Sequence, residues 1–327
     1  MNKKLTIVVT GAAGFLGSLL VKALLQRETL ADNHGIQREI GRLIAFDRCA
    51  LEGIDDSRLE VVTGDISDSS RLKSVLPAAV DSVFHLAAIV SGQAEQEFDT
   101  GMQINVDAFR QLLEQLRQLN RPVKLVTTSS VAVFGGNLPA KVSDREVWMP
   151  QSSYGTQKAI CDLLLADYTR RGWVNGRSLR MPTIVVRPGR PNKAASSFAS
   201  GIIREPINGE HAICPVTRDT LLWLLSPRKA IEALIHGHDI EDSRFTAGRV
   251  INLAGLSVTV EQMVTALAQV VGPDAGKHIE FAPDATIERI VNSWPGDFDT
   301  RYAHELGFTA NEDFTGMIEE YLADYAS

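Results

Sequence analysis

The segment LTIVVTGAAGFLG, residues 5–17, gives the clearest indication of the fold of this chain. Its first five residues are apolar or β-branched without alternation, which is typical of a strand buried on both faces in a parallel sheet. The three glycines that follow are spaced G-x-x-G-x-x-G, and the amphipathic run SLLVKALLQ after them predicts a helix. Strand, glycine turn and helix in this order predict a dinucleotide site with the pyrophosphate at the helix N-terminus.

The glycines of this turn have separate expected roles. Gly11 allows the tight turn, Gly14 lets the backbone approach the phosphates, and Gly17 lets the helix pack closely on the strand. Phe15 and Leu16 lie between the last two glycines and are predicted to contact the dinucleotide as well. The alternative interpretation of the motif alone is a glycine-rich structural turn without a ligand.

The second strand, RLIAFD at 42–47, ends in an acidic residue that favours one dinucleotide over another. The carboxylate of Asp47 can accept a hydrogen bond from the adenosine ribose and would repel a 2′-phosphate, which predicts NAD rather than NADP. The neighbouring Arg48 weakens this prediction slightly, because its guanidinium could bind the 2′-phosphate of NADP. The distance from the glycines exceeds the usual spacing, and we attribute the excess to a polar insertion at 29–41.

Further strands and helices alternate along the first half of the chain. Strands are predicted within 59–66, 81–90 and 123–135, and the apolar periodicity of 103–120 predicts a helix before the last of them. The alternation predicts an α/β fold with a doubly wound parallel sheet, the Rossmann fold. Further predicted cofactor contacts at the carboxyl edge of this sheet are Asp65, Ile66, Leu86, Ala87 and Ala88.

Composition excludes several classes of function. The 327 residues carry a net charge of -7, which argues against nucleic acid or a membrane surface as the main partner. No apolar run reaches the ~18 residues of a membrane span. The three cysteines, Cys49, Cys161 and Cys214, are widely spaced and form no metal or redox pattern. We therefore expect a cytoplasmic protein without a metal site.

The stretch SSYGTQK, residues 152–158, places Tyr154 and Lys158 four positions apart. In a helix their side chains share one face, one turn apart. A nearby ammonium stabilises a phenolate, so this pair could serve as a general base. Taken alone, however, the spacing arises often by chance on solvated helices.

These motifs together resemble the extended short-chain dehydrogenase/reductase family. The resemblance lies in TGAAGFLG, Asp47, GDI, HLAA, TSSVAVFG and SSYGTQK, taken in this order, and it covers nearly the whole chain. A narrower resemblance lies in the segment 179–210, which is similar to the subgroup of D-erythronate dehydrogenases. Members of that subgroup oxidise the C2 hydroxyl of a four-carbon sugar acid with NAD.

The resemblance implies roles for residues at matching positions. Tyr154 matches the catalytic base, Lys158 the lysine that accompanies it, and Ser130 the catalytic serine, with Ser129 as an adjacent candidate. Ser130 and Tyr154 would also contact the substrate. The other cofactor contacts that the family implies are Asn105, Ser129, Tyr154, Lys158, Pro182 and Thr183.

The resemblance also implies a division of the chain. Residues 1–180 are expected to form the NAD-binding domain, and 181–327 a smaller, mixed α/β substrate lobe. Two later segments, about 221–240 and 248–254, are expected to return to the nucleotide lobe. A homodimer through paired helices is usual for this fold.

The substrate lobe must supply donors for a sugar acid. A carboxylate is best held by the planar fork of an arginine. Arg187, Arg190 and Arg218 are the candidates. Arg187 has the alternative interpretation of a structural ion-pair residue, so Arg190 is preferred and Arg218 is retained beside it. The remaining predicted substrate contacts are Asn192, Ser196 and Ser197.

The sequence thus predicts an NAD-dependent dehydrogenase that oxidises the C2 hydroxyl of a small sugar acid, with D-erythronate as the first choice. A nucleotide-sugar epimerase or dehydratase of the same superfamily is the first alternative. The second is a non-catalytic protein that senses NAD, against which Ser130, Tyr154 and Lys158 argue.

Overall fold

The computed structural model describes residues 3–190 and 194–325. Seven strands run in parallel through the centre of the larger lobe, in the order β11-β7-β6-β5-β1-β3-β4. They are β1 (Leu5–Thr10), β3 (Gln37–Asp47), β4 (Leu59–Thr63), β5 (Ser82–His85), β6 (Lys124–Ser130), β7 (Asn175–Met181) and β11 (Val250–Asn252). The strand order reverses between β1 and β5, which is where ligands bind in open α/β sheets.

Helices cover both faces of this sheet, because the strand side chains alternate between the faces. Ile7 and Val9 pack on one face with the first group of helices, and Val8 packs on the other with the second group. The first group is α1 (Phe15–Arg27), α8 (Pro227–Asp239) and α11 (Arg301–Leu306). The second is α2 (Ser69–Val75), α5 (Ala108–Arg117) and α6 (Ser153–Arg170). The predicted doubly wound parallel sheet is confirmed.

The polar insertion at 29–41 forms a β-hairpin with the start of β3. Its first residues form β2 (Thr29–Ala31), which pairs antiparallel with the start of β3. Asp32 closes the hairpin by accepting hydrogen bonds from the backbone amides of His34 and Ile36, at 2.8 and 3.0 Å. The insertion therefore lengthens β3 and leaves Asp47 at the carboxyl end of that strand.

The predicted helix at 103–120 begins with a wider, π-helical turn. This turn spans Met102–Asp107 and continues directly into α5. Two short helices precede it, α3 (Ser91–Gln96) and α4 (Phe98–Gly101). Such turns occur often at functional sites. Here the turn holds Asn105 against Ile89, whose backbone amide donates to Oδ1 of Asn105 at 2.9 Å.

The smaller lobe contains two short sheets and its own apolar core. The first sheet is formed by β8 (Thr183–Ile184), β10 (Leu221–Leu225) and β12 (Leu256–Thr259), and the second by β9 (Ala212–Cys214) and β13 (Ile279–Phe281). Its helices are α7 (Ser197–Ile207), α9 (Val260–Val271), α10 (Ala285–Val291) and α12 (Phe314–Tyr325). Across the described residues, no helix is long and apolar enough to cross a membrane.

The segments expected to return to the larger lobe differ in where they lie. Within 248–254, β11 pairs with β7 of the main sheet. Within 221–240, α8 packs on the main sheet, whereas β10 pairs with β8 and β12 of the small sheet. The chain thus crosses between the lobes at the start of α8, where Ser226 caps the helix by accepting from the amide of Lys229.

Candidate active site

The glycine turn has the shape that a dinucleotide requires. Gly11 has a φ of 73°, and a Cβ there would lie 2.6 Å from the backbone nitrogen of Ala87. A Cβ on Gly17 would lie 2.0 Å from the carbonyl oxygen of Gly11. Gly14 is the N-cap of α1 and has no side chain to block the helix N-terminus. The turn therefore fits a pyrophosphate at the N-terminal end of α1.

Asp47 lies beside this turn and braces it. Its Oδ2 accepts a hydrogen bond from the amide of Ala13 at 3.1 Å, and its Oδ1 accepts one from the amide of Cys49 at 3.1 Å. Asp47 also lines a cavity of about 350 Å³, together with Arg48. Of the predicted cofactor contacts, this cavity is lined by Gly11, Gly14, Asp47, Ile66, Leu86, Ala87 and Ala88.

A second cavity, of about 300 Å³, continues from the glycine turn to the predicted catalytic residues. Ser130, Tyr154 and Lys158 line it. The predicted cofactor contacts around it are Gly11, Gly14, Phe15, Leu16, Gly17, Leu86, Ala88, Ser129, Pro182 and Thr183. The structure thus brings the predicted catalytic side chains and most of the predicted cofactor contacts to one cleft at the carboxyl edge of the sheet.

Two predicted cofactor contacts line neither cavity. Asp65 accepts hydrogen bonds from the amide and the hydroxyl of Ser67, and these bonds lower the pKa of its carboxyl. Asn105 is buried, and its side-chain nitrogen donates to the carbonyl of Ile89 at 3.2 Å and to Oε1 of Gln157 at 2.7 Å. Asn105 therefore connects Ile89, which lines the cleft, to Gln157 of α6.

Tyr154 and Lys158 lie on the first turns of α6. Ser152 caps the helix by accepting a hydrogen bond from the amide of Gly155 at 3.2 Å. The ammonium of Lys158 donates to the carbonyl of Thr128 at 2.7 Å and lies 5.7 Å from the centre of the Tyr154 ring. The lysine is therefore anchored to β6 while its charge remains close to the phenol.

The close packing of α6 on the end of β6 depends on Gly155. A Cβ at this position would lie 2.1 Å from the carbonyl oxygen of Ala132. Ala132 belongs to the turn that follows Ser130, and its amide donates to the Ser130 hydroxyl oxygen at 3.1 Å. The absence of a side chain at Gly155 lets the tyrosine helix and the serine strand meet at one cleft.

The two serines at the end of β6 have different partners. The hydroxyl of Ser129 donates to a carboxylate oxygen of Asp162 at 3.0 Å, and Arg180 donates to the same oxygen at 2.9 Å. Ser130 accepts from the amide of Ala132, which leaves its hydroxyl proton available to a ligand. Between the two candidates, this arrangement favours Ser130 as the serine that contacts substrate.

Only one of the predicted substrate contacts in the smaller lobe that the structure describes lines the cleft. Ser196 lines the cleft, and Ser197, the first residue of α7, does not. Arg190 is exposed on the loop and lines neither cavity. Arg218 pairs with Glu261 at 2.5 Å and lies outside both cavities. Asn192 falls outside the described residues.

Other side chains of the cleft wall were not predicted from the sequence. Trp294 comes from the loop after α10, and its buried Nε1–H has no hydrogen-bond partner among the described residues. Ser91 begins α3, and its hydroxyl accepts from the amide of Ala195 at 3.2 Å, which joins the two lobes beside the cleft. No motif marks these residues.

In the described ranges, no three side chains suited to metal binding come together.

Comparisons with known proteins define the class. The model of the NAD dependent epimerase/dehydratase family matches residues 7–223, and the chain belongs to this family. The resemblance to the extended short-chain dehydrogenase/reductases is confirmed, and the chain is an NAD-dependent oxidoreductase.

Individual relatives are similar over almost the whole chain. The D-erythronate dehydrogenase of Cupriavidus necator is 50% identical over 98% of both chains. The D-erythronate dehydrogenase of Haemophilus influenzae is 41% identical over 97% of this chain and 98% of that one. The resemblance to this subgroup is therefore confirmed. The crystal structure of a nucleoside-diphosphate-sugar epimerase from Agrobacterium tumefaciens has a TM-score of 0.93 and 38% identity, and covers 99% of this chain and 95% of that one.

Proposed function

We propose that this enzyme oxidises the C2 hydroxyl of a small sugar acid with NAD, and that D-erythronate, converted to 2-dehydro-D-erythronate, is its substrate. The observation that carries the proposal is the common cleft of Ser130, Tyr154 and Lys158 beside the glycine turn. The identity to two D-erythronate dehydrogenases supports the choice of substrate.

The residues of the cleft have the chemistry for alcohol oxidation. Bound NAD supplies the acceptor for the hydride that leaves C2. Tyr154, as phenolate, takes the proton of the C2 hydroxyl, and the ammonium of Lys158 stabilises that phenolate. Ser130 donates its hydroxyl proton to the reacting oxygen and orients it. The product is the 2-oxo acid, and the abstracted proton remains on Tyr154 until solvent removes it.

NAD would be held by the groups that shape the two cavities. The glycine turn would bind the pyrophosphate, and Asp47 would accept from the adenosine ribose. Lys158 lies between β6 and the cleft, where its ammonium can also donate to the nicotinamide ribose. Pro182 and Thr183 line the same cleft.

The test is the formation of NADH from a panel of sugar acids of four to six carbons. We expect the highest kcat/KM with D-erythronate. Tyr154→Phe should lower kcat by at least about a hundredfold, since general base catalysis contributes roughly 10²–10⁴. NAD binding, followed by protein fluorescence, should be retained in this variant, because the glycine turn and Asp47 are unchanged. An enzyme that forms no NADH with any member of the panel would exclude the proposal.

A second candidate is favoured by the similarity to the Agrobacterium tumefaciens epimerase. An epimerase would use the same Tyr154 and Lys158 but return the hydride to the sugar. Turnover of a nucleotide sugar without net NADH would identify this activity. The absence of such turnover, together with NADH formation from a sugar acid, would exclude it.

A further inference from the structure

The backbone of Arg187 is held by two side chains of α7. Its amide donates to the hydroxyl of Ser200 at 3.1 Å, and its carbonyl accepts from Nη1 of Arg204 at 2.8 Å. Ser200 and Arg204 are both buried side chains of α7. These two hydrogen bonds hold the backbone of Arg187 in place without a ligand.

The guanidinium of Arg187 has no counter-ion in the described part of the chain. It lines the cleft with Ser130 and Tyr154, and no described residue forms a hydrogen bond or ion pair with its side chain. The carboxylate of Glu205 pairs with Arg204 instead. Burial and the charge of Arg204 lower the pKa of Arg187, while Tyr154 opposes that shift.

A half-buried cation without a partner is costly, and an anionic ligand offsets that cost. The two arginines preferred from the sequence are not buried cations without a counter-ion. Arg190 is exposed to solvent. Arg218 pairs with Glu261, and its guanidinium lies 4.0 Å from the centre of the Phe281 ring.

We propose that Arg187 binds the carboxylate of the substrate and so selects 2-hydroxy acids. The inference rests on the proposed function. In a 2-hydroxy acid the carboxylate is bonded to the reacting carbon, so the anion and the hydroxyl must be recognised within one small space. Arg187 and Tyr154 line the same cavity, which meets this requirement. The planar fork of arginine suits a carboxylate and fixes the face that C2 presents.

The test compares an acid with its uncharged counterpart. D-Erythronate and its primary amide have the same carbon skeleton and the same C2 hydroxyl, and differ in charge. In the native enzyme we expect a strong preference for the acid. Arg187→Gln should lower kcat/KM for the acid by about a hundredfold, mostly through KM, because one partner of a desolvated charge pair is removed. In the same variant, kcat/KM for the amide should change by less than about threefold.

Three further variants make the result specific. Arg187→Lys keeps the charge but loses the fork, and should recover part of the preference for the acid. Arg170→Gln is the matched control, since this exposed arginine lies near the other end of α6, about 24 Å along the helix from Tyr154. It should behave as the native enzyme. Arg190→Gln tests the arginine preferred from the sequence. Thermal melting of each variant checks that it folds.

Direct binding separates this inference from the proposed function. Calorimetric titration of D-erythronate into the enzyme with NADH should show binding that Arg187→Gln weakens by a similar factor. If the native enzyme oxidises the acid while Arg187→Gln keeps the preference over the amide, Arg187 is not the carboxylate site. Loss of the preference in Arg190→Gln would also overturn the proposal. If the native enzyme neither oxidises nor binds sugar acids, both proposals fail.

Discussion

At the scale of single residues, the carboxylate of Asp47 both supports the glycine turn and lines the cavity where we propose that the adenosine ribose binds. Its oxygens accept from the amides of Ala13 and Cys49, so its removal would loosen the turn as well as change the charge. Asparagine at this position keeps an oxygen acceptor and removes the charge. A comparison with Asp47→Asn therefore isolates the electrostatic contribution to the choice of dinucleotide.

We predict that the native enzyme strongly prefers NAD and that Asp47→Asn reduces this preference by about tenfold or more, which corresponds to ~1.4 kcal/mol. The carboxylate repels a 2′-phosphate, and Arg48 in the same cavity can accept that phosphate once the repulsion is gone. The measurement is kcat/KM with NAD and with NADP. Equal efficiency with both dinucleotides in the native enzyme would contradict the assigned role.

Local sequence patterns predicted part of the site, whereas contacts between distant residues could not be predicted. The motif around Gly11 and the pair Tyr154 and Lys158 are local patterns, and the structure places them in one cleft. The partner of an arginine is a long-range property, so the sequence did not reveal that Arg218 pairs with Glu261. Nor could it show that Trp294 reaches the cleft, because the loop that carries it has no local signature.

At the scale of elements, the decisive contact is between α6 and the turn after β6. Gly155 allows it, because a Cβ there would collide with the carbonyl of Ala132. The sequence predicted β6 from its apolar run, and it predicted the spacing of Tyr154 and Lys158. It did not predict the π-helical turn before α5, since that turn is stabilised by contacts of Asn105 with distant residues.

We predict that Gly155→Ala lowers kcat by about tenfold or more, while the protein remains folded. The added methyl group must separate α6 from the turn, and overpacking of this kind costs typically about 1–3 kcal/mol. Tyr154 would then be displaced from Ser130. Steady-state rates and thermal melting measure the two effects. Gly276→Ala is the control, because a Cβ there meets only Val264 at an ordinary 3.5 Å. Native activity in Gly155→Ala would refute the assigned contact.

At the scale of the whole molecule, the cleft is walled by both lobes. The larger lobe contributes the glycine turn, Ser130 and Tyr154, and the smaller lobe contributes Arg187 and Trp294. The parallel sheet followed from the alternation of strands and helices along the sequence. The arrangement of the smaller lobe could not be predicted in the same way, because its strands are short and pair across long stretches of chain.

Stability of the whole molecule should depend on pH through His238. This residue is fully buried between Ser82 and Asp239, with its ring nitrogens 2.8 and 2.9 Å from their side-chain oxygens. Burial lowers the pKa of His238 to about 4, although Asp239 opposes the shift. The unfolded chain takes up this proton near the ordinary pKa of ~6.5, so stability falls as the pH falls from 6.5 to about 4.

We predict that His238→Gln makes the free energy of unfolding less dependent on pH in this interval, by at most about 3 kcal/mol. Chemical denaturation at a series of pH values measures the dependence. His34→Gln is the control, because His34 is exposed on the hairpin between β2 and β3. Identical pH dependence in the native protein and in His238→Gln would show that His238 is not held neutral by burial.

In the proposed reaction the C2 hydrogen of a sugar acid leaves as hydride while Tyr154 takes the hydroxyl proton. D-Erythronate carrying deuterium at C2 tests it most directly, with mass spectrometry of the reduced dinucleotide and of the product. We expect the deuterium to appear in the reduced dinucleotide, with a slower rate than for the unlabelled acid. Deuterium retained in the oxidised product would place the reaction at another carbon, and no reduced dinucleotide at all would exclude the oxidation of this acid.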